Sequence, residues 1–204
     1  QAVSVAFYCI GFGEAYVSLM GGTDQTVQVT AAIAATVLFG LAYAGADLAT
    51  RFQSGIMVVL IAALVSFFIG AGQTMDGLTL DSAWTNPESG FEFWVVFAIF
   101  FPAVTGFTQG VSMSGDLKNP AKSLPIGTFL AVGISTIVYI VAMIVLAASL
   151  SLTELRSDYD SLKRIAAAPW LIDTGVLAAT LSSSLASFLG APRILQALAN
   201  DRLF

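Results

Sequence analysis

Six apolar stretches, each close to the length that crosses a lipid bilayer, follow one another at about residues 2–20, 27–46, 54–72, 91–114, 126–150 and 170–190. A helix rises about 1.5 Å per residue, so roughly 20 apolar residues cover the hydrocarbon layer. The connectors are short and polar. They are a turn at Gly21-Gly22-Thr23-Asp24, a link over 47–53, a loop over 73–90, a hinge over 115–125, and a loop over 151–169 with a short amphipathic helix expected near 159–165. An amphipathic stretch over 191–204 follows the last span. Only 10% of the 204 residues are charged, whereas a dispersed soluble surface carries roughly 25–35%. This excludes a soluble enzyme, a nucleic-acid binder and a disulfide-stapled secreted domain. The expected fold class is all-α and membrane-integral, one transmembrane fragment over 1–204.

Thirteen acidic against eight basic residues leave a net charge of −5, with no basic stripe for a phosphate backbone. Histidine is absent, which removes the commonest general base and metal ligand together. Cys9 is the sole cysteine, so no internal disulfide forms and no metal cluster is indicated. The chain opens at Gln1 inside an apolar run and is expected to be an excerpt of a longer protein. Alternate connectors share a side of the bilayer. One set carries Arg51, Lys118, Lys122, Arg193 and Arg202, and the other carries Arg156, Lys163 and Arg164 beside most of the acids. The positive-inside rule places the first set and the N-terminus in the cytoplasm, so odd spans run outward and even spans inward.

The fourth stretch holds Pro102, Thr105, Gly106, Thr108 and Gln109 at mid-span. Pro102 deprives a carbonyl of its helical donor, and Gly106 admits backbone angles that other residues resist. Unpaired backbone in hydrocarbon costs several kcal/mol per group, so an interruption persists only where something satisfies it. An unwound segment offers loose carbonyls to a cation. The N–H groups of Gly106, Phe107 and Thr108 would open the second half-helix and attract an anion. Secondary transporters build midplane sites from such discontinuous helices. A simple proline kink is the other reading of the same residues.

In the sixth stretch Ser182 and Ser183 follow Ala179 by three and four residues. One helical turn therefore stacks the Ala179 carbonyl under both hydroxyls. Three neutral oxygens suit a small hard monovalent cation if a second helix adds ligands. The same spacing also serves close helix packing. Glu14 is the only clear acid within a span, either facing a cavity or reaching the headgroups. Tyr8, nearer the middle, either points into a polar site or packs. Asp116, Lys118 and Lys122 read as a solvated hinge and inner gate.

Phe97-Ala98-Ile99-Phe100-Phe101-Pro102-Ala103-Val104-Thr105-Gly106, continued by Ser114-Gly115-Asp116-Leu117-Lys118-Asn119-Pro120, resembles the sixth transmembrane helix and following loop of the cation–chloride cotransporters. These belong to the amino acid–polyamine–organocation superfamily. The stretch from Ala179 to Ser187, followed by Gly190-Ala191-Pro192-Arg193, resembles their eighth helix, and Tyr8-Cys9-Ile10-Gly11-Phe12-Gly13-Glu14 their third. The resemblance spans essentially the whole chain. It implies helices three to eight of a twelve-helix, inverted-repeat, LeuT-like transporter with a discontinuous helix at about 91–114.

It also implies roles. Potassium is held by Tyr8, Pro102 and Thr105, and sodium by the Ala179 carbonyl with the Ser182 and Ser183 hydroxyls, an alkali-ion site only. Chloride sits at the amides of Gly106, Phe107 and Thr108, and Glu14 belongs to an outer gate. The serine pair favours sodium coupling. The short, cysteine-free loop over 151–169 fits a microbial homologue. The expected activity is symport of sodium and/or potassium with chloride by alternating access, without enzymatic chemistry and with no cofactor beyond the transported ions. The expected location is the plasma or bacterial inner membrane. Expected partners are the lipid bilayer, small inorganic ions, the remaining helices of the same chain and a second copy, with no nucleic acid. Two other readings accompany it: an amino-acid or amine permease of the same superfamily, and a non-transporting membrane scaffold.

Overall fold

The computed structural model describes residues 2–74, 92–101, 106, 109–112, 114–157 and 160–202. Every regular element among them is helical: α1 (Ala2–Met20), α2 (Asp24–Ala44), α3 (Ala46–Thr74), α4 (Phe93–Phe100), α5 (Gln109–Ser112), α6 (Pro120–Ser149), α7 (Leu152–Ser157), α8 (Ser161–Ile165) and α9 (Pro169–Asn200). A 3-10 turn, Ser114–Asp116, lies between α5 and α6. Five of these, α1, α2, α3, α6 and α9, are long and apolar enough to cross a membrane.

The helix starts follow local chemistry. The Thr23 N–H donates to Thr26 Oγ1 at 3.3 Å at the head of α2, where Asp24 suits the positive end of the helix dipole. Prolines in the first turn open α6 and α9, where a missing N–H costs nothing.

Three connectors differ from the sequence reading. The 47–53 link is helical, because α3 begins at Ala46 directly after the turn at Gly45. Four of its seven residues are polar, but none of the seven breaks a helix, and Asp47 stabilises the first turn. The helix expected from 126 starts at Pro120 and absorbs Lys122. The stretch after 190 continues α9 through Pro192 to Asn200, since one lost donor is tolerated within a run of Leu, Gln and Ala. The amphipathic segment expected near 159–165 is helical over Ser161–Ile165, and residue 159 lies outside the described residues.

The chain divides into two compact units, residues 1–72 with 162–204, and residues 73–161. In the first unit α9 packs on α1 and α2, and α1 on α2. α9 also runs antiparallel to α3: Gln53 meets Ser182, Ala63 meets Gly175, and Ser66 meets Ala168. Small residues dominate these seams. Cys9, Ala31, Ala34, Ala49, Ala63, Ala71, Ser66, Ser184 and Ser187 are buried, with Leu38 and Leu185 filling the centre. Between membrane helices there is no hydrophobic drive to associate, so close approach of small side chains supplies the cohesion. Many large apolar residues point outward instead, among them Phe7, Val37, Val58 and Ile69, although Ile56 and Phe67 are buried.

Ser66 ties α3 to the turn that starts α9. Its hydroxyl accepts the Ala168 N–H at 2.8 Å and donates to the Ala168 carbonyl at 3.3 Å, while its own carbonyl accepts the Ala167 N–H at 3.0 Å. The turn lies so close to α3 that a Cβ on Gly70 would come within 2.0 Å of the Ile165 carbonyl oxygen and 2.4 Å of the Ala167 nitrogen. An ion pair between Lys163 and Asp173 spans the same corner.

In the second unit, α4 carries a run of ring contacts, Phe93–Phe97 at 6.1 Å and Phe97–Phe101 at 5.6 Å between centroids. Phe100 meets Tyr139 of α6 edge-on at 5.7 Å.

Gly70→Ala should destabilise the protein by about 1–3 kcal/mol, because backbone rather than a flexible side chain must yield. Gly55→Ala, with nothing within 4 Å of the added methyl, should be neutral or stabilising by up to about 1 kcal/mol. Thermal melts of the two variants in detergent compare these directly.

Candidate functional site

Ala179, Ser182 and Ser183 occupy one turn of α9 and are all half-buried. At about 1.5 Å per residue, Ser182 lies roughly 20 Å along the helix from Pro169, well inside a bilayer-length segment. The hydroxyls around it differ in their bonding. Thr180 Oγ1 donates back to the Val176 carbonyl at 3.2 Å and shares the Leu177 carbonyl at 2.9 Å. Thr174 does the same with Trp170 and Leu171. Such back-bonding is the ordinary fate of a hydroxyl in a membrane helix. Among the described residues neither the Ser182 nor the Ser183 hydroxyl is hydrogen-bonded.

Ser184, the next residue, is 1% exposed and joined to Cys9 Sγ of α1 at 3.1 Å. Tyr8 is therefore adjacent in sequence to the residue that touches the sodium-candidate helix. Tyr8 itself is half-buried, with its ring edge-on to Phe7 at 5.7 Å. On the other flank Gln53 of α3 donates through Nε2 to the Ser182 carbonyl at 3.5 Å. The sequence reading put Gln53 in a polar link and missed it. The signal was present, since no proline or glycine separates Asp47 from Gln53 and an apolar helix follows. Glu14, the gate candidate, is exposed on α1 and has no ion pair among the described residues.

For the fourth stretch, α4 ends at Phe100, α5 begins at Gln109, and Gly106 between them has φ +101. That angle is foreign to a right-handed helix and is readily adopted only by glycine. The helix is discontinuous there, and a kink within one continuous helix does not describe it. Gly106 is exposed, with open space where a Cβ would stand. Pro102, Thr105, Phe107 and Thr108, the other potassium and chloride candidates on this stretch, lie outside the described residues.

The amino acid permease profile matches residues 2–204. The chain belongs to the amino acid permease family. It is similar to mouse solute carrier family 12 member 8, 33% identical over 214 residues, covering 100% of this chain and 30% of the relative. It is also similar to mouse solute carrier family 12 member 1, at 29% over 261 residues, with 100% and 24% covered. Zebrafish solute carrier family 12 member 2 is 30% identical over 263 residues, with 100% and 23% covered. The chain thus spans less than a third of the length of these relatives. Membership of this permease family agrees with the resemblance to cation–chloride cotransporters and fixes the fold class as an all-α, multi-pass membrane fold of LeuT-like type. The longer alignments with members 1 and 2 accommodate residues that this permease segment lacks.

Cys9 is 3% exposed and sealed between α1 and α9. Brief N-ethylmaleimide treatment of the membrane protein should leave it unmodified until denaturant is added, and peptide mass mapping reads the outcome. Rapid labelling of the native protein would contradict the packing described.

Proposed function

We propose that this chain forms the central part of a secondary active symporter that moves sodium and/or potassium with chloride by alternating access. The carrying observation is the hydroxyl pair Ser182 and Ser183, unpaired among the described residues, above the Ala179 carbonyl in a helix whose Thr174 and Thr180 bond back to their own backbone. A polar group left without a partner at bilayer depth costs free energy. An alkali ion bound by neutral oxygens would recover that cost.

In the same reading Tyr8, Pro102 and Thr105 hold potassium. The amides of Gly106, Phe107 and Thr108 hold chloride, and Glu14 serves an outer gate. The positive φ of Gly106 supports the discontinuity that such a site requires. No covalent chemistry and no resident cofactor are needed, since transport draws its work from ion gradients. Further helices of the same chain complete the sites, and a second copy forms a homodimer.

Rubidium uptake into proteoliposomes by the full-length protein should fall to background when either sodium or chloride is omitted. Uptake indifferent to both omissions would refute cation–chloride symport, and labelled amino-acid flux without chloride would favour the permease reading. Ser182→Ala or Ser183→Ala should each remove about 1–3 kcal/mol of sodium binding. The half-saturating sodium concentration then rises roughly fivefold or more, while the protein still reaches the membrane.

A further inference from the structure

We propose that Gln53 is a specificity-determining residue of the alkali-ion site at Ser182 and Ser183, giving its carboxamide oxygen to the ion while its nitrogen holds the site's backbone. The proposal rests on the sodium reading above and adds a ligand from a second helix. Gln53 is half-buried about two turns inside α3, and its Nε2 donates to the Ser182 carbonyl at 3.5 Å.

A carboxamide carries two donors and an oxygen with two lone pairs. Here only one donor is used, in a contact at the long limit of a hydrogen bond. The oxygen has no partner among the described residues, although it shares a carbon with the nitrogen already docked at this turn. Two hydroxyls and an amide oxygen, unpaired among the described residues, thus lie on the stretches of α9 and α3 that the Gln53–Ser182 contact joins. All are neutral, and none has a partner among the described residues. A small monovalent cation fits that donor set, and a divalent ion, which usually demands carboxylates, does not. A tether that only held α3 to α9 would not require an open oxygen, so the two roles separate by experiment.

The test is rubidium influx by the full-length protein in proteoliposomes, measured as external sodium is varied. Gln53→Leu removes the oxygen and should raise the half-saturating sodium concentration at least about fivefold. The maximal rate and the half-saturating rubidium and chloride concentrations should stay within about twofold of the parent. Gln53→Glu keeps the shape and adds a negative charge, and should lower the half-saturating sodium concentration. A sodium curve unmoved in both variants, or a Gln53→Leu loss of rate equal for all three ions, overturns the assignment. Where Gln53→Leu fails to reach the membrane, the near-isosteric Gln53→Glu decides alone: a shift to lower sodium supports the role and no shift refutes it. Parent uptake that ignores sodium refutes the symport reading itself. Sodium-dependent parent uptake with unmoved Gln53 variants refutes only the role of Gln53.

Discussion

Every backbone donor and acceptor placed in hydrocarbon must find a partner, and this requirement shapes the whole chain. Long helices meet it automatically, which is why α1, α2, α3, α6 and α9 run for 19 to 32 residues each. The same rule gives meaning to its exceptions. Gly106 stands in a conformation that no helix of this hand can hold. In water such a break is cheap, but within a bilayer the backbone groups it frees must find partners outside their own ladder.

The second consequence concerns side chains. With lipid as apolar as leucine, helices gain nothing by hiding large residues from it. The seams of the first unit are accordingly rich in alanine, serine, glycine and one cysteine, beside a few larger residues such as Phe67 and Leu185, while many of its phenylalanine, valine and isoleucine side chains face outward. Close seams bring polar groups of neighbouring helices within bonding distance. The Cys9–Ser184 contact and the Gln53–Ser182 contact arise in this way.

The sequence alone revealed the helical class, the recurrence of apolar stretches and the interruption near Gly106, because these depend on composition and on residues with special backbone chemistry. It misplaced helix ends where polarity and helicity part company. Residues 47–53 read as a link because four of them are polar, yet polarity on a helix at its entry into the membrane is no obstacle to helix formation, and Asp47 favours it. That error hid Gln53. The last span, expected to end at about 190, likewise continues, because the one donor missing at Pro192 did not end α9. The serine pair was legible as a candidate from spacing alone. Whether its hydroxyls were committed to the helix was not, since this depends on rotamers and on what neighbouring helices offer.

The corner where Ser66 and Gly70 receive residues 165–168 also limits how the first unit can deform. Three hydrogen bonds and a glycine-deep seating join α3 to the root of α9. Parting them there would break all three bonds together and uncover the buried Ser66. The two helices must therefore travel as one rigid lever at this end. Any relative tilt between them is greatest toward Gln53 and Ser182, where a stretched amide contact joins them.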